Sequence, residues 1–313
     1  MTMLLAVEGT GARTQALLTD AMGKNLARGF GECSNPNVVG FEAAAKAISG
    51  AVEGALVNAL GPHALTGSSS PWRTAGIAAA CFGLGGVDDA DDEARFSRWI
   101  REQGFAERFV VVNDADLVIA GGTPDGWGVA LICGVGSVCV ARSAQGKVVR
   151  VGGWGPLLGD EGSGYQLALA ALRLATQTAD GRADAQALLD AVLRHWNLPE
   201  AGALIRHVHA PGMGPGEVAP LAGAVIDLVA KGDPAARRLV EDAAAQLARQ
   251  VETVIRKLAL RHPPLALGGT LVRGDMKRAL LAAITTEIGP VAHVPDPCRG
   301  AVTFALRLLH PPR

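Results

Sequence analysis

Apolar residues along the chain come in two rhythms. Residues 3–7 (MLLAV) are an unbroken apolar run and predict a buried strand. Residues 13–19 and 25–31 predict two more, joined by a turn at Ala21-Met22-Gly23-Lys24. Residues 40–60 are Ala-rich, with apolar positions at helical spacing. A strand is predicted at 76–83, a helix at 88–104, and a β-rich run at 109–112 that ends in Asn113-Asp114. The strand rhythm then returns: 128–133, a tight loop at 134–137, 138–142, a turn at Ala144-Gln145-Gly146-Lys147, and 148–152. Beyond it the pattern is helical over 163–179, 185–195, 218–231 and 234–261, with a Gly/Pro loop at 212–216. Asp233 before Pro234 suits an N-cap followed by proline in the first turn. A short strand at 264–267 runs into Gly268-Gly269-Thr270, and helices are predicted near 276–288 and over 300–309.

The two β-rich stretches match each other. LLAVEGTGARTQALLTDAMGKNLARGFG and VALICGVGSVCVARSAQGKVVRVGGWG both read as strand, Gly-x-Gly loop, strand, Gly-Lys turn, strand. Gly9 and Gly11 lie opposite Gly134 and Gly136, and Gly23-Lys24 lies opposite Gly146-Lys147. This is the signature of an internal duplication of a three-stranded unit.

Composition narrows the possible functions. Hydrophobic residues are 49% of the 313 and charged ones 19%, enough to bury cores in about two domains. Lys plus Arg is 29 against 30 for Asp plus Glu, so no basic excess attracts a phosphate backbone and no nucleic-acid partner is expected. Cys33, Cys81, Cys133, Cys139 and Cys298 form no CxxC, which argues against a disulfide scaffold or a zinc site and suits a reducing cytoplasm. Glu8 interrupts the first apolar run, so no signal peptide is expected, and no stretch of about 18 apolar residues predicts a membrane span.

Glycines in the two hairpin loops would bare backbone N–H groups, which are donors for an anion, although each alone is also an ordinary tight turn. Two matching hairpins could hold a polyphosphate from both sides. No Walker A pattern is present. Asp114 follows an apolar strand, where a carboxylate either faces a cleft or caps the next helix. The segment GGWGPLLGDEGSG at 152–164 crowds glycines around Asp160 and Glu161, for binding or for a cap by Asp160 or Ser163. Asn35 and Asn37 offer amides in a turn. His207 and His209 lack a third ligand for a metal.

Residues 8–14, 34–37, 113–114, 134–137, 152–165 and 268–269 together resemble the BadF/BadG-type ATPase family, and within it the N-acetylglucosamine and glucosamine kinases. The resemblance implies an α/β chain with a duplicated ribonuclease H-like, actin/hexokinase-like two-lobe fold and a central cleft that closes around its ligands. The lobes would be 1–119 plus 300–313, and 120–299, hinged near 117–122 and 297–300. It implies an ATP- and Mg²⁺-dependent kinase that phosphorylates an amino sugar at its 6-hydroxyl, as a homodimer. Glu8 would hold the hydrated metal. Gly9, Thr10, Gly11 and Arg13 would form the first phosphate loop and Gly134, Val135, Gly136 and Ser137 the second. Gly268 and Gly269 would back the adenosine. Asn35, Asp114, Gly134 and Asp160 would bind the sugar, with Asp114 as general base. Alternative readings are an ATPase activator of a 2-hydroxyacyl-CoA dehydratase and a sugar-binding sensor with little kinase activity. Departures from the family pattern include Glu8 where the family usually has aspartate, Thr10 where it has glycine, and Ala12 and Val135 where it has threonine. Each lost phosphate-side hydroxyl should cost about 1.5–3 kcal/mol.

Overall fold

The computed structural model describes residues 2–62 and 75–310, which fall into two compact units. The first comprises Met1–Gly126 with Val294–Arg313, the second Trp127–His293.

The first unit is built on β1 (Met3–Gly9), β2 (Thr14–Asp20), β3 (Asn25–Gly31), β4 (Ile77–Leu84) and β5 (Arg108–Asn113), in the order β3-β2-β1-β4-β5. β1, β2 and β3 pair antiparallel, while β1–β4 and β4–β5 are parallel. The central strand is apolar from Met3 to Val7 because both sheet faces are covered there. Leu5, Val7, Leu18, Phe82 and Val111 pack with α2 (Phe41–Leu60) and α3 (Ala90–Gln103), whose Ile48, Val52, Phe96 and Ile100 complete that core. Ala6, Leu17 and Cys81 face the other way, against Leu117 of α4 (Asp114–Gly122) and Cys298, Ala301 and Val302 of the last helix (Cys298–Leu309). A single helical turn, α1 (Pro36–Val39), precedes α2. Asp296, just before the last helix, is gripped by Arg28 of β3 and Gln15 of β2. The two segments expected to hinge lie in α4 and at the start of the last helix. They meet closely: a Cβ on Gly300 would stand 2.0 Å from the Leu117 carbonyl oxygen.

The second unit repeats the plan. β6 (Gly128–Cys133), β7 (Ser137–Arg142), β8 (Val148–Gly152), β9 (Leu265–Gly268) and β10 (Val291–His293) run in the order β10-β9-β6-β7-β8. Read from β8, both order and strand senses are those of the first sheet. The expected duplication is thus a duplication of the whole five-stranded sheet. Its helices are α5 (Gly155–Leu158), α6 (Gly164–Ala179), α7 (Gln186–His195), α8 (Ala203–Val208), α9 (Pro215–Val218), α10 (Leu221–Ala230), α11 (Pro234–Leu258) and α12 (Gly274–Ala283). Asp233 caps α11 as expected, accepting from Ala236 N at 2.7 Å. The helix expected over 218–231 is broken at Pro220, so α9 and α10 are separate. Leu131, Cys133, Cys139 and Leu267 pack on Leu247, Val251 and Val254 of α11. Among the described residues no helix is long and apolar enough to cross a membrane.

Candidate active site

In the first unit, the register of three parallel strands puts Gly9, Leu84 and Asn113 side by side at their carboxyl ends. In open α/β sheets this edge is where ligands bind. Gly85 follows Leu84 and donates its N–H to the Gly9 carbonyl at 2.7 Å. A Cβ there would stand 3.2 Å from Asp114 Oδ2, 3.4 Å from the Gly9 oxygen and 3.7 Å from Asn35 Nδ2. Three expected site residues therefore converge on one bare glycine. Asp114 does not cap the helix that it begins. Asn113 does so, accepting from Ala115 N at 3.0 Å, and this leaves Asp114 in the first turn of α4. Asn35 does cap α1, its Oδ1 accepting from Asn37 N at 2.9 Å, while its amide nitrogen lies toward Gly85. Gly86 is shielded the same way, since a Cβ there would stand 2.6 Å from Asn35 Oδ1.

Glu8 is half-buried on β1. Burial raises its carboxyl from 4.5 to about 7; the negative charge of Asp114 adds to this and Arg13 opposes it. Beyond it the loop folds on itself. Thr10 Oγ1 accepts from Ala12 N and Arg13 N, both at 3.2 Å, and donates to the Arg13 carbonyl at 3.0 Å. Ser34 N donates to the Thr10 carbonyl at 3.1 Å, tying the Asn35 turn to this loop.

In the second unit, Gly134, Val135 and Gly136 form the loop between β6 and β7. This hairpin is one residue shorter than its counterpart, where Gly9 still pairs with Thr14. Asp160 stands over it. Its Oδ1 accepts from Ser137 N at 3.3 Å, and a Cβ on Gly136 would stand 2.8 Å from Oδ2. Asp160 is nearly buried, at 9% exposure, and burial raises its carboxyl while the Ser137 N–H pulls it back. Its backbone is left-handed, φ 57. The cap of α6 belongs to Ser163, which accepts from Gln166 N at 3.3 Å. Gly269 presses on the same loop from β9: its φ is 87, and a Cβ would stand 2.2 Å from the Cys133 carbonyl oxygen. Gly268 is buried at the end of β9.

Of the residues that make up these two clusters, sequence reasoning did not bring out Gly85 and Gly86. Both had a signal. They follow β4 much as Gly268 closes β9 and Gly269 follows it in the second copy. Cys81, Cys133, Cys139 and Cys298 are core thiols, pushed up by burial, and offer no exposed cluster for an iron–sulfur group.

Two copies of one mixed sheet, each with a glycine hairpin and an acid at its carboxyl edge, define an actin-like ATPase fold. The chain belongs to the BadF/BadG/BcrA/BcrD ATPase family, which matches residues 7–305. An N-acetyl-D-glucosamine kinase of Dictyostelium discoideum is 29% identical over 97% of this chain and 98% of that protein. An N-acetylmuramic acid/N-acetylglucosamine kinase of Clostridium acetobutylicum is 33% identical over 60% of this chain; that match spans 62% of the relative's length. The fold is shared with a Streptomyces griseus ROK family glucokinase solved with glucose and AMPPNP, at TM-score 0.59, 16% identity, and coverage of 97% of this chain and 98% of that one.

Proposed function

We propose that the chain is an ATP-dependent kinase that phosphorylates an amino sugar, N-acetylglucosamine or glucosamine, at its 6-hydroxyl. The observation that carries this is the convergence of Asp114, Asn35 and the Gly9 carbonyl around Gly85, in a family member aligned almost end to end with an N-acetyl-D-glucosamine kinase. In this reading Asn35 and Asp114 are sugar ligands on the first unit; on the second unit, taken by itself, Gly134 and Asp160 are proposed as sugar ligands. The Asp114 carboxylate orients the 6-hydroxyl and takes its proton as that oxygen bonds to the γ-phosphorus and the bond to ADP breaks. General-base assistance of this kind is worth about 10²–10⁴-fold. Arg13 and the loop N–H groups offset phosphate charge, and most of the catalysis is positioning.

The residues fit Mg²⁺ carried by the nucleotide. Among the described residues no cage of three acids, histidines or cysteines is assembled, whereas Glu8 sits in the field of Asp114 with a carboxyl that a cation would relieve. Mg²⁺ commonly keeps its waters and takes one or two carboxylates beside substrate phosphates. When bound it neutralises charge on the transferring group.

A coupled assay should show ADP release that depends on N-acetylglucosamine or glucosamine. Asp114→Asn should lower that release at least about 100-fold with an unchanged circular dichroism spectrum. Undiminished turnover removes Asp114 from the role. A second reading, a sugar-binding protein with weak turnover, is favoured by the Thr10 hydroxyl already occupying two loop N–H groups. Calorimetric binding of sugar without ATP would select it.

A further inference from the structure

Outside the residues so far given roles, one polar side chain ties together three pieces of the second unit. Gln250 lies on α11 and is 6% exposed, among core neighbours Leu247, Val251 and Val254. Its Nε2 donates to Ser137 Oγ at 3.4 Å and to the Glu161 carbonyl at 3.3 Å. Ser137 Oγ donates to that same carbonyl at 2.9 Å, and Ser137 N donates to Asp160. Gln250 Oε1 is buried without a hydrogen-bond partner. It rests against bare backbone, since a Cβ on Gly152 would stand 2.7 Å from it.

Packing does not explain a glutamine here. A buried amide with one end unpaired is less favourable than an apolar side chain of similar shape. What the amide does is seat the Asp160-Glu161 turn on the loop before β7. That turn has reason to move when released, because Asp160 is held in a left-handed backbone rarely adopted by residues with a side chain.

We propose that Gln250 is a positioning residue for sugar binding: through Ser137 and the Glu161 carbonyl it holds the Asp160 carboxylate in place. The proposal rests on the sugar-kinase reading above. Gln250→Met keeps the volume and removes the donor. Calorimetry with N-acetylglucosamine should show Kd raised about 10-fold or more, the scale expected when a binding group is displaced by a fraction of an ångström. The sugar KM should follow, the ATP KM should stay within about 3-fold, and Tm should be unchanged or higher. A double-mutant cycle with Ser137→Ala should be non-additive, the double variant binding sugar about as weakly as Gln250→Met alone.

Unchanged sugar affinity in Gln250→Met, or independent multiplication of the two effects, overturns the proposal. A fall in Tm with sugar affinity intact also overturns it, since that is a packing role. The kinase reading fails separately: wild type that binds sugar but releases no ADP would discard the turnover and leave the Gln250 measurement standing. Wild type that neither binds nor turns over the sugar would end both.

Discussion

At the scale of single residues, the neighbours of each candidate decide what it is free to do. Asp114 and Asp160 each had a helix cap as an alternative occupation, and in both cases a residue within one turn takes it, Asn113 and Ser163. Pattern alone could not separate the two, because Asn113-Asp114 and Asp160 to Ser163 hold several good capping side chains within one turn. Thr10 is the reverse case. The sequence exposes it as a departure, and the structure gives the consequence: its hydroxyl satisfies the N–H groups of Ala12 and Arg13. Thr10→Gly should free both donors for phosphate. Against the entropy of a new glycine, the net gain should be about 1 kcal/mol, or about a fivefold lower ATP KM. A raised KM would show instead that the hydroxyl itself serves the nucleotide. Gln250 carried no signal at all. Within a helix of period 3.6 it falls among apolar positions, and only its long-range partners distinguish it.

At the scale of elements, what is buried on both sides is easiest to read. β1 and β6 are nearly continuous apolar runs because helices cover both faces or neighbouring strands flank them. β10 was not expected: three half-buried residues carry too little pattern. The fit between α2 and β3 is equally invisible locally, yet tight. A Cβ on Gly29 would stand 2.0 Å from the Ala51 carbonyl oxygen and 2.3 Å from Ala55 N, both backbone atoms that cannot swing away. Gly29→Ala should therefore push α2 off the sheet and cost about 3 kcal/mol or more, at the upper end of overpacking effects. Urea unfolding would register this as a lower midpoint at constant slope. An unshifted midpoint would mean that the strand and helix slide apart freely.

At the scale of the whole molecule, stability should follow pH through the carboxyl on β1. Because the folded chain raises Glu8 from 4.5 to about 7, it holds that proton more tightly than the unfolded chain does. Its stabilising contribution is then complete below about 4.5 and disappears as pH climbs through about 7. Asp160 is shifted in the same direction and adds to the trend. Melting curves of ligand-free protein in chelator should fall across this range, and Glu8→Gln should flatten the fall. Parallel curves for the two proteins would show that Glu8 titrates normally. What the amino-acid order determined unaided was the repeat: two strand–glycine loop–strand units, with acids near the ends of strands. Strand alternation, turn residues and glycine clusters act over a few neighbours, so they survive in the one-dimensional record. Only the folded chain decided which of those acids is spoken for and which glycines must be bare. Gly9, Gly85 and Asp114 meet through strand register across three separate segments. Gln250 reaches Ser137 from 113 positions away. Such meetings are set by packing over the whole sheet, and no local propensity encodes them.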